Sequence, residues 1–168
     1  MDKHVLVTGL SGSGKTYLSG YFRQNGINAH DSEEFNHLSS WIDRNGLTVA
    51  MPKDPTGQWL SEHSKLWDRE KIKGLLRKNA QFYLFGYVTN VYSFIDLFNS
   101  AYYLRADSYL ISQRLMREDR ANTFGRLDSQ RELILSMITS SEEKARNAGF
   151  KFIDASLTPK QIFDIITK

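Results

Sequence analysis

The sequence predicts a three-layer α/β fold, in which helices cover both faces of a five-stranded parallel β-sheet. Short apolar runs rich in β-branched or aromatic residues alternate along the chain with segments of helical apolar spacing. One run, residues 82–88, is continuously apolar, which is typical of a strand buried on both faces of a parallel sheet. Because the chain has 168 residues and no internal repeat, we expect a single domain over residues 1–168.

The predicted strands follow one another with a helix or a longer segment between each pair. Apolar runs place the five strands at residues 4–8, 27–30, 82–88, 101–104 and 150–153. Apolar spacing and capping residues place helices at residues 17–25, 31–40, 68–78, 90–98, 107–118, 129–149 and from 158 onwards. The supporting caps are Gly26, Asp31 or Ser32, Asp68, Asp107, a capping box of Ser129 and Glu132, Gly149, and Thr158 followed by Pro159.

Residues 41–65 do not fit this alternation. They contain Gly46, Pro52, Pro55 and Gly57 among scattered aromatic residues. We therefore predict an irregular excursion from the core over this segment.

A second unusual segment, at about residues 117–128, is rich in arginine. Arg114, Arg117, Arg120 and Arg126 lie within thirteen residues, and periodicity is lost from residue 120 to 127. Guanidinium groups on a mobile lid could clamp the charge that phosphoryl transfer spreads over oxygen atoms, and the lid would exclude water. The alternative is a basic helix end exposed to solvent.

The residues after the first strand match the phosphate-binding pattern G-x-x-x-x-G-K-[ST]. They are Gly9, Leu10, Ser11, Gly12, Ser13, Gly14, Lys15 and Thr16. Glycines let the backbone direct its N–H groups at a phosphate, at the positive end of the following helix dipole. Lys15 supplies a charge for the β- and γ-phosphates, and the Thr16 hydroxyl can ligate Mg²⁺. The order of strand, glycine loop and helix therefore predicts a nucleotide site.

Ligands of such sheets bind at the carboxyl ends of the strands, so the residues that follow each strand are further candidates. Asp31 follows the second strand, residues 86–90 close the third, and Asp154 follows the fifth. The Asp31 carboxylate could accept a proton from an attacking hydroxyl or hold Mg²⁺-bound waters. Asp31 is also a good helix N-cap, and the sequence leaves both roles open.

Composition excludes several other classes of protein. The chain has no cysteine, which excludes disulfides and thiolate metal sites, and it has no apolar run of 18 residues. The first strand begins so early that we expect no signal peptide and a cytoplasmic protein. A net charge of +3 is too small to predict a nucleic-acid surface. We expect a monomer or homodimer that binds small molecules, with neither nucleic acid nor membrane as a partner.

Taken in order, these features resemble the small P-loop kinases related to adenylate, shikimate and gluconate kinases. The resemblance covers nearly the whole chain: a glycine loop, an aspartate after the second strand, a glycine closing the third, an arginine-rich lid after the fourth, and Asp-Ala-Ser after the fifth. Trp67-Asp68, residues 86–90 and Arg120…Phe124-Gly125-Arg126 are similar to a poorly characterised subgroup of these kinases.

The resemblance implies ATP and Mg²⁺ as cofactors. Lys15, Thr16 and Arg120 would serve ATP and the transferring phosphoryl group, with Arg117 as a further catalytic arginine. The adenine pocket would be lined by residues 154–158, including Asp154 and Ser156. The residues that would face the acceptor are Asp31, Gly86, Asn90 and Arg126.

The sequence also departs from the families that it resembles. Shikimate kinases carry Asp-x-Asp after the second strand and a glycine run after the third, whereas this chain reads Asp31-Ser32-Glu33 and Gly86-Tyr87-Val88. Shikimate is therefore not favoured as the acceptor. Because no acidic residue closes the third strand, we expect Mg²⁺ to be held by Thr16, phosphates and waters.

The sequence thus predicts a kinase that moves the γ-phosphoryl group of ATP to a hydroxyl of a small metabolite, such as a nucleoside, a sugar or a hydroxy acid. The candidate anion clamps near the excursion are few: Arg44, Lys53 and Lys65. This favours a hydroxyl compound over a nucleoside monophosphate, although a monophosphate kinase and a non-catalytic ATP sensor stay as alternatives. Trp41, Trp59 and Trp67 could line an acceptor pocket or belong to the core.

Overall fold

The computed structural model describes residues 2–120 and 122–168. The strands are β1 (Lys3–Thr8), β2 (Ala29–Asp31), β3 (Ser39–Ile42), β4 (Thr48–Val49), β5 (Ser64–Trp67), β6 (Gln81–Phe85), β7 (Ser100–Arg105) and β8 (Lys151–Asp154). The α-helices are α1 (Lys15–Gln24), α2 (Gly57–Glu62), α3 (Arg69–Arg77), α4 (Ser108–Leu115), α5 (Asp128–Ser136), α6 (Ile138–Ala148) and α7 (Pro159–Thr167). Short 3-10 helices, Ser32–Glu34 and Val91–Leu97, follow β2 and β6.

The central sheet confirms the predicted fold class. Within the residues described, its five strands lie in the order β2-β6-β1-β7-β8, and each neighbouring pair is parallel. In the middle strand, Val5 and Val7 pack into one apolar cluster with α1, α4 and α7, while Leu6 packs into a second cluster with α3 and α6. Helices therefore cover both faces, and the carboxyl ends of the strands meet at one edge of the sheet.

Residues 39–67 form a second, antiparallel sheet in the order β4-β3-β5, with α2 between β4 and β5. The prediction that residues 41–65 have an irregular conformation is therefore wrong, although they do lie outside the central sheet. These strands are two to four residues long, too short for an alternating pattern to stand out from the neighbouring glycines and prolines. The turn between β3 and β4 has Gly46 at φ +79°, and the Asp43 carboxylate accepts hydrogen bonds from the N–H groups of Asn45 and Leu47.

The helix predicted over residues 31–40 is also wrong, because it ends after the single turn Ser32–Glu34. Asp31 does cap that turn: its Oδ1 accepts a 3.0 Å hydrogen bond from the Glu33 N–H. The Asp31 N–H in turn donates to the Glu34 carboxylate at 3.1 Å, which completes a capping box. β3 begins at Ser39, since residues 39–42 pair with β5 instead of continuing the helix.

The segment 129–149 forms two helices, α5 and α6, which meet at Met137. The predicted capping box of Ser129 and Glu132 is wrong, because α5 begins at Asp128 and the Ser129 hydroxyl accepts a hydrogen bond from the Gly57 N–H. Gly149, at φ +93°, ends α6 as predicted.

The other predicted N-caps are confirmed. Asp68, Asp107 and Thr158 each accept a hydrogen bond from the backbone N–H three residues later. No helix in the part of the chain that the structure describes is long and apolar enough to cross a membrane.

Candidate active site

The glycine loop joins β1 to α1 at the carboxyl edge of the sheet. Gly9, Gly12 and Gly14 have φ values of +148°, +87° and +101°, which glycine adopts without strain. A Cβ at Gly9 would lie 2.8 Å from the Leu104 carbonyl oxygen of β7, so the loop needs glycine for space as well. Gly14 immediately precedes α1, and among the described residues no side chain caps the start of that helix. The loop therefore leaves the positive end of α1 to an anion.

Lys15, the first residue of α1, folds back over the loop. Its Nζ donates hydrogen bonds to the carbonyl oxygens of Gly9 at 2.6 Å and Leu10 at 3.0 Å. Burial lowers the pKa of Lys15 to about 8; the charges of Asp31 and Glu33 oppose this shift, and the charge of Arg120 adds to it. The positive charges of Lys15 and Arg120 therefore repel each other, and an anion bound near both would relieve that repulsion.

Thr16 and Asp31 are in direct contact across the strand ends. The Thr16 hydroxyl donates a 2.5 Å hydrogen bond to Asp31 Oδ2, while Asp31 Oδ1 caps the following turn. Both roles that the sequence leaves open for Asp31 are therefore available to the same carboxylate. With only 7% of its surface exposed, Asp31 is held in place beside the expected metal ligand Thr16.

Arg114 makes two contacts at the predicted site that the sequence did not predict. Its Nη1 donates to the Ser13 carbonyl at 2.9 Å and its Nη2 donates to the Ala155 carbonyl at 2.8 Å. Burial, and then the charge of Arg117, lower its pKa. Arg114 thus ties the glycine loop to the loop after β8, which is the predicted adenine pocket. Its position in the arginine cluster could have indicated this role in the sequence, but we expected the arginines of that cluster to act from the lid.

The arginines of the predicted lid, residues 117–128, differ in what they contact. Arg120 donates through Nη1 to the Leu115 carbonyl at 2.8 Å and the Phe124 carbonyl at 3.2 Å. Arg126 Nη2 lies within 3.3 Å of three backbone carbonyls of residues 117, 118 and 120, so it organises the lid backbone. Arg117 forms an exposed bidentate pair with Asp119, at 3.0 and 2.7 Å. Of these three, Arg120 is the one whose charge reaches Lys15.

A buried glutamine on α5 connects the lid with the small sheet. Gln130, 3% exposed, accepts a 2.7 Å hydrogen bond from the Gly125 N–H through Oε1. Its Nε2 donates to the Pro55 carbonyl at 2.7 Å. Next to it, the Gly57 N–H donates to the Ser129 hydroxyl at 3.0 Å, and a Cβ at Gly57 would lie 2.2 Å from the Ser129 carbonyl oxygen. Sequence reasoning missed this connection.

The other predicted contacts lie at the same edge of the sheet. A Cβ at Gly86 would lie 2.3 Å from Ser32 Oγ and 2.7 Å from the Trp67 ring, so Gly86 lets these residues approach β6. The Asn90 amide forms 3.0 Å hydrogen bonds with both the N–H and the carbonyl of Trp67, which holds β5 against the core. These contacts give Gly86 and Asn90 a structural role, and acceptor binding by either stays a prediction.

Asp154, the last residue of β8, is exposed and accepts a 2.8 Å hydrogen bond from the Ser156 N–H. Hydrogen bonds from the Ser156 side chain and backbone lower the pKa of Asp154. These bonds shape the loop that Arg114 also holds, at the place where the adenine pocket is expected.

Within residues 2–120 and 122–168, no three acidic or histidine side chains gather in a way that could hold a metal ion. The expected Mg²⁺ would therefore depend on the Thr16 hydroxyl together with phosphates and water. These oxygen ligands suit a hard cation that keeps several of its waters.

No protein-family model matches the sequence, and no curated protein matches it. Solved structures are similar to it in fold. A shikimate kinase from Acinetobacter baumannii has a TM-score of 0.61 at 13% identity, over 99% of this chain and 92% of that one. A deoxyadenosine kinase from M. mycoides has a TM-score of 0.55 at 15% identity, over 98% and 96% of the two chains. A gluconokinase from Sinorhizobium meliloti has a TM-score of 0.53 at 14% identity, over 98% of this chain and 89% of that one.

The chain therefore has the fold of the P-loop kinases over nearly its whole length, as the sequence resemblance predicted. These neighbours are named for three different substrates, namely shikimate, deoxyadenosine and gluconate. Fold alone thus leaves the acceptor open.

Proposed function

We propose that this protein is an ATP-dependent phosphotransferase that moves the γ-phosphoryl group of ATP to a hydroxyl group of a small metabolite. The observation that carries the proposal is the 2.5 Å contact between Thr16 and Asp31 beside Lys15. It brings a phosphate-loop hydroxyl, a cation and an acceptor-side carboxylate to one edge of the sheet. That the structural neighbours are kinases also supports it.

Each side chain has a defined task in this proposal. Lys15 and Arg120 stabilise negative charge on the transferring phosphoryl group. The Asp31 carboxylate accepts the proton of the attacking hydroxyl. The acceptor oxygen forms a bond to the γ-phosphorus while the bond from that phosphorus to the bridging oxygen breaks, and ADP leaves. Mg²⁺, held by Thr16, phosphates and water, would neutralise phosphate charge.

A coupled ADP-release assay across nucleosides, sugars, hydroxy acids and nucleoside monophosphates tests the proposal. We expect acceptor-dependent ADP release with hydroxyl compounds, and loss of that release in Lys15→Ala. Turnover confined to monophosphates would instead identify a nucleoside monophosphate kinase. ATP binding without turnover on any acceptor would contradict the proposal and favour a non-catalytic sensor.

A further inference from the structure

A cavity of about 370 Å³, open to solvent, lies between the Ser32–Glu34 turn and the small antiparallel sheet. Its walls include Ser32 and Glu33 from the turn, Trp41 from β3 and Lys65 from β5. Ser32 directly follows Asp31, so the cavity begins one residue from the carboxylate assigned to the acceptor side. This position suits an acceptor whose hydroxyl must reach Asp31.

The cavity carries no net charge. Among its lining residues in the described part of the chain, only Glu33 and Lys65 are charged. They bind each other, since Lys65 Nζ donates to both Glu33 carboxylate oxygens at 2.6 and 2.7 Å. Arg44, another cation of this segment, lies 3.8 Å from Glu62 instead. A carboxylate or phosphate entering the cavity would therefore meet a lysine whose charge is already compensated.

The remaining polar groups of the cavity wall are neutral hydroxyls and an amide: Ser32, Asn36, Ser39, Ser40 and Thr48. The buried Ser32 hydroxyl has no hydrogen-bond partner among residues 2–120 and 122–168. That hydroxyl lies against Gly86 and has almost no accessible surface, so the side chains of the other four residues are the polar groups that would hydrogen-bond to an acceptor. Trp41 adds a flat apolar surface on which a sugar face or a base can pack.

We propose, building on the function proposed above, that the acceptor is an uncharged hydroxylated compound such as a nucleoside or a sugar. The Glu33–Lys65 pair disfavours carboxylate and phosphate acceptors, because an anion in the cavity would have to compete with the Glu33 carboxylate for Lys65. In the transfer, the acceptor oxygen bonds to the γ-phosphorus, its proton passes to Asp31, and ADP departs with the electron pair of the broken bond.

The test combines turnover with a separate binding measurement. ADP release is measured with panels of nucleosides, aldoses, sugar acids and nucleoside monophosphates. Binding of the same compounds is followed by tryptophan fluorescence, with Trp41→Phe as the control that should lose the signal. We expect the uncharged panels to give both signals at concentrations at least tenfold lower than the charged panels.

The pair itself is tested by Glu33→Gln, which frees Lys65. We expect this variant to bind sugar acids or monophosphates at least tenfold more tightly than the unaltered chain does. Glu70→Gln is the matched control, since it removes an exposed carboxylate that pairs with Lys73 on α3, and it should change nothing. Unchanged selectivity in Glu33→Gln would refute the role of the pair.

The outcomes separate the acceptor class from the proposed function. Turnover confined to charged acceptors would overturn the uncharged-acceptor proposal and leave the kinase standing. Binding of uncharged compounds without turnover would support the cavity assignment and contradict catalysis. Neither binding nor turnover with any panel would overturn both.

A different observation carries a second inference, which rests on nucleotide binding by the glycine loop. Gln130 hydrogen-bonds to the lid at Gly125 and to the acceptor-side segment at Pro55, and α2 packs on α5 beside it. Because Gln130 is buried, a shift of either partner must move or break one of its hydrogen bonds. We infer that Gln130 is a positioning residue that couples the lid to the small sheet when nucleotide binds.

Hydrogen exchange of residues 55–62, with and without ADP and Mg²⁺, tests this coupling. We expect ADP to slow exchange there in the unaltered chain, at least threefold. Gln130→Glu keeps the shape of the side chain and the Oε1 acceptor but loses the Nε2 donor. We expect this variant to lose the slowing of exchange by ADP. Its affinity for ADP, measured by calorimetry, should stay within about threefold of that of the unaltered chain. Gln24→Glu, at an exposed position at the end of α1, is the matched charge control.

Two results would overturn the coupling. One is an absence of ADP-dependent protection of residues 55–62 in the unaltered chain while calorimetry detects binding. The other is equal protection in the chain and in Gln130→Glu. A purely structural role for Gln130 would raise exchange with and without ADP alike, and would leave the response to ADP in place.

Discussion

The pKa of Lys15 leads to a quantitative prediction about ATP binding. Burial holds that pKa at about 8 in the free protein, below the ordinary value of 10.5. Only the protonated ammonium attracts phosphates, and a bound nucleotide raises the pKa again. The protonated fraction is about nine tenths at pH 7 and about one tenth at pH 9 for this pKa, so affinity for ATP should fall about tenfold between these values.

Calorimetric titration with ATP and Mg²⁺ from pH 6.5 to 9.5 measures this dependence. Lys15→Arg is the control, because a guanidinium stays charged throughout this range. Lys15→Arg should bind ATP more weakly than the unaltered chain does, but its affinity should not fall as the pH is raised. Lys15→Ala should bind weakly at every pH and transfer nothing. An equal fall in Lys15→Arg, or unchanged binding in Lys15→Ala, would refute the assignment of Lys15 to the phosphates.

The same pKa predicts a change in stability. The folded protein holds the proton of Lys15 less tightly than the unfolded chain does. The free energy of unfolding should therefore rise as the pH increases from about 8 to 10.5, and this gain is lost when the pH is lowered back through 8. One unit of pKa shift corresponds to about 1.4 kcal/mol, so the shift from 10.5 to about 8 gives a gain of at most about 3.5 kcal/mol. Urea titrations of the chain and of Lys15→Met should differ in this slope.

Three further substitutions test the site and the fold. Asp31→Asn should keep ATP binding but lower turnover by about 10²-fold or more, since the proton acceptor is lost; normal turnover would leave Asp31 as a cap alone. Arg114→Lys cannot reach both the Ser13 and Ala155 carbonyls, so calorimetry should find ATP binding about tenfold weaker, and unaltered affinity would contradict this bridge. Gly86→Ala forces a Cβ against Ser32, and denaturation should show a loss of about 1–3 kcal/mol.

Features encoded in adjacent residues were predictable. The central strands are continuous apolar runs, and the glycine loop, the Asp68 and Asp107 caps and the Thr158-Pro159 helix start each depend on residues a few positions apart. Their conformations follow from steric limits and local hydrogen bonds. The order of these elements was sufficient to predict the fold class.

The small sheet was not predictable in the same way. Its strands are too short to show a period, and Ser39–Ile42 is a strand only because β5 lies beside it. The helix expected from the Asp31 cap failed for that reason: pairing with a distant segment outweighed a satisfied local cap. The same holds for Ser129, whose hydroxyl is used by Gly57 rather than by its own helix.

By itself, then, the sequence determined the central sheet, the glycine loop and the position of Asp31 after β2, because each is a pattern within a short stretch of chain. Only the tertiary structure decided that Arg114 holds the glycine loop, that Gln130 joins the predicted lid to Pro55, and that Glu33 neutralises Lys65. The residues of the first two contacts are 101 and 75 positions apart. Hydrogen bonds over such separations leave no local pattern, since folding alone brings their donors and acceptors together.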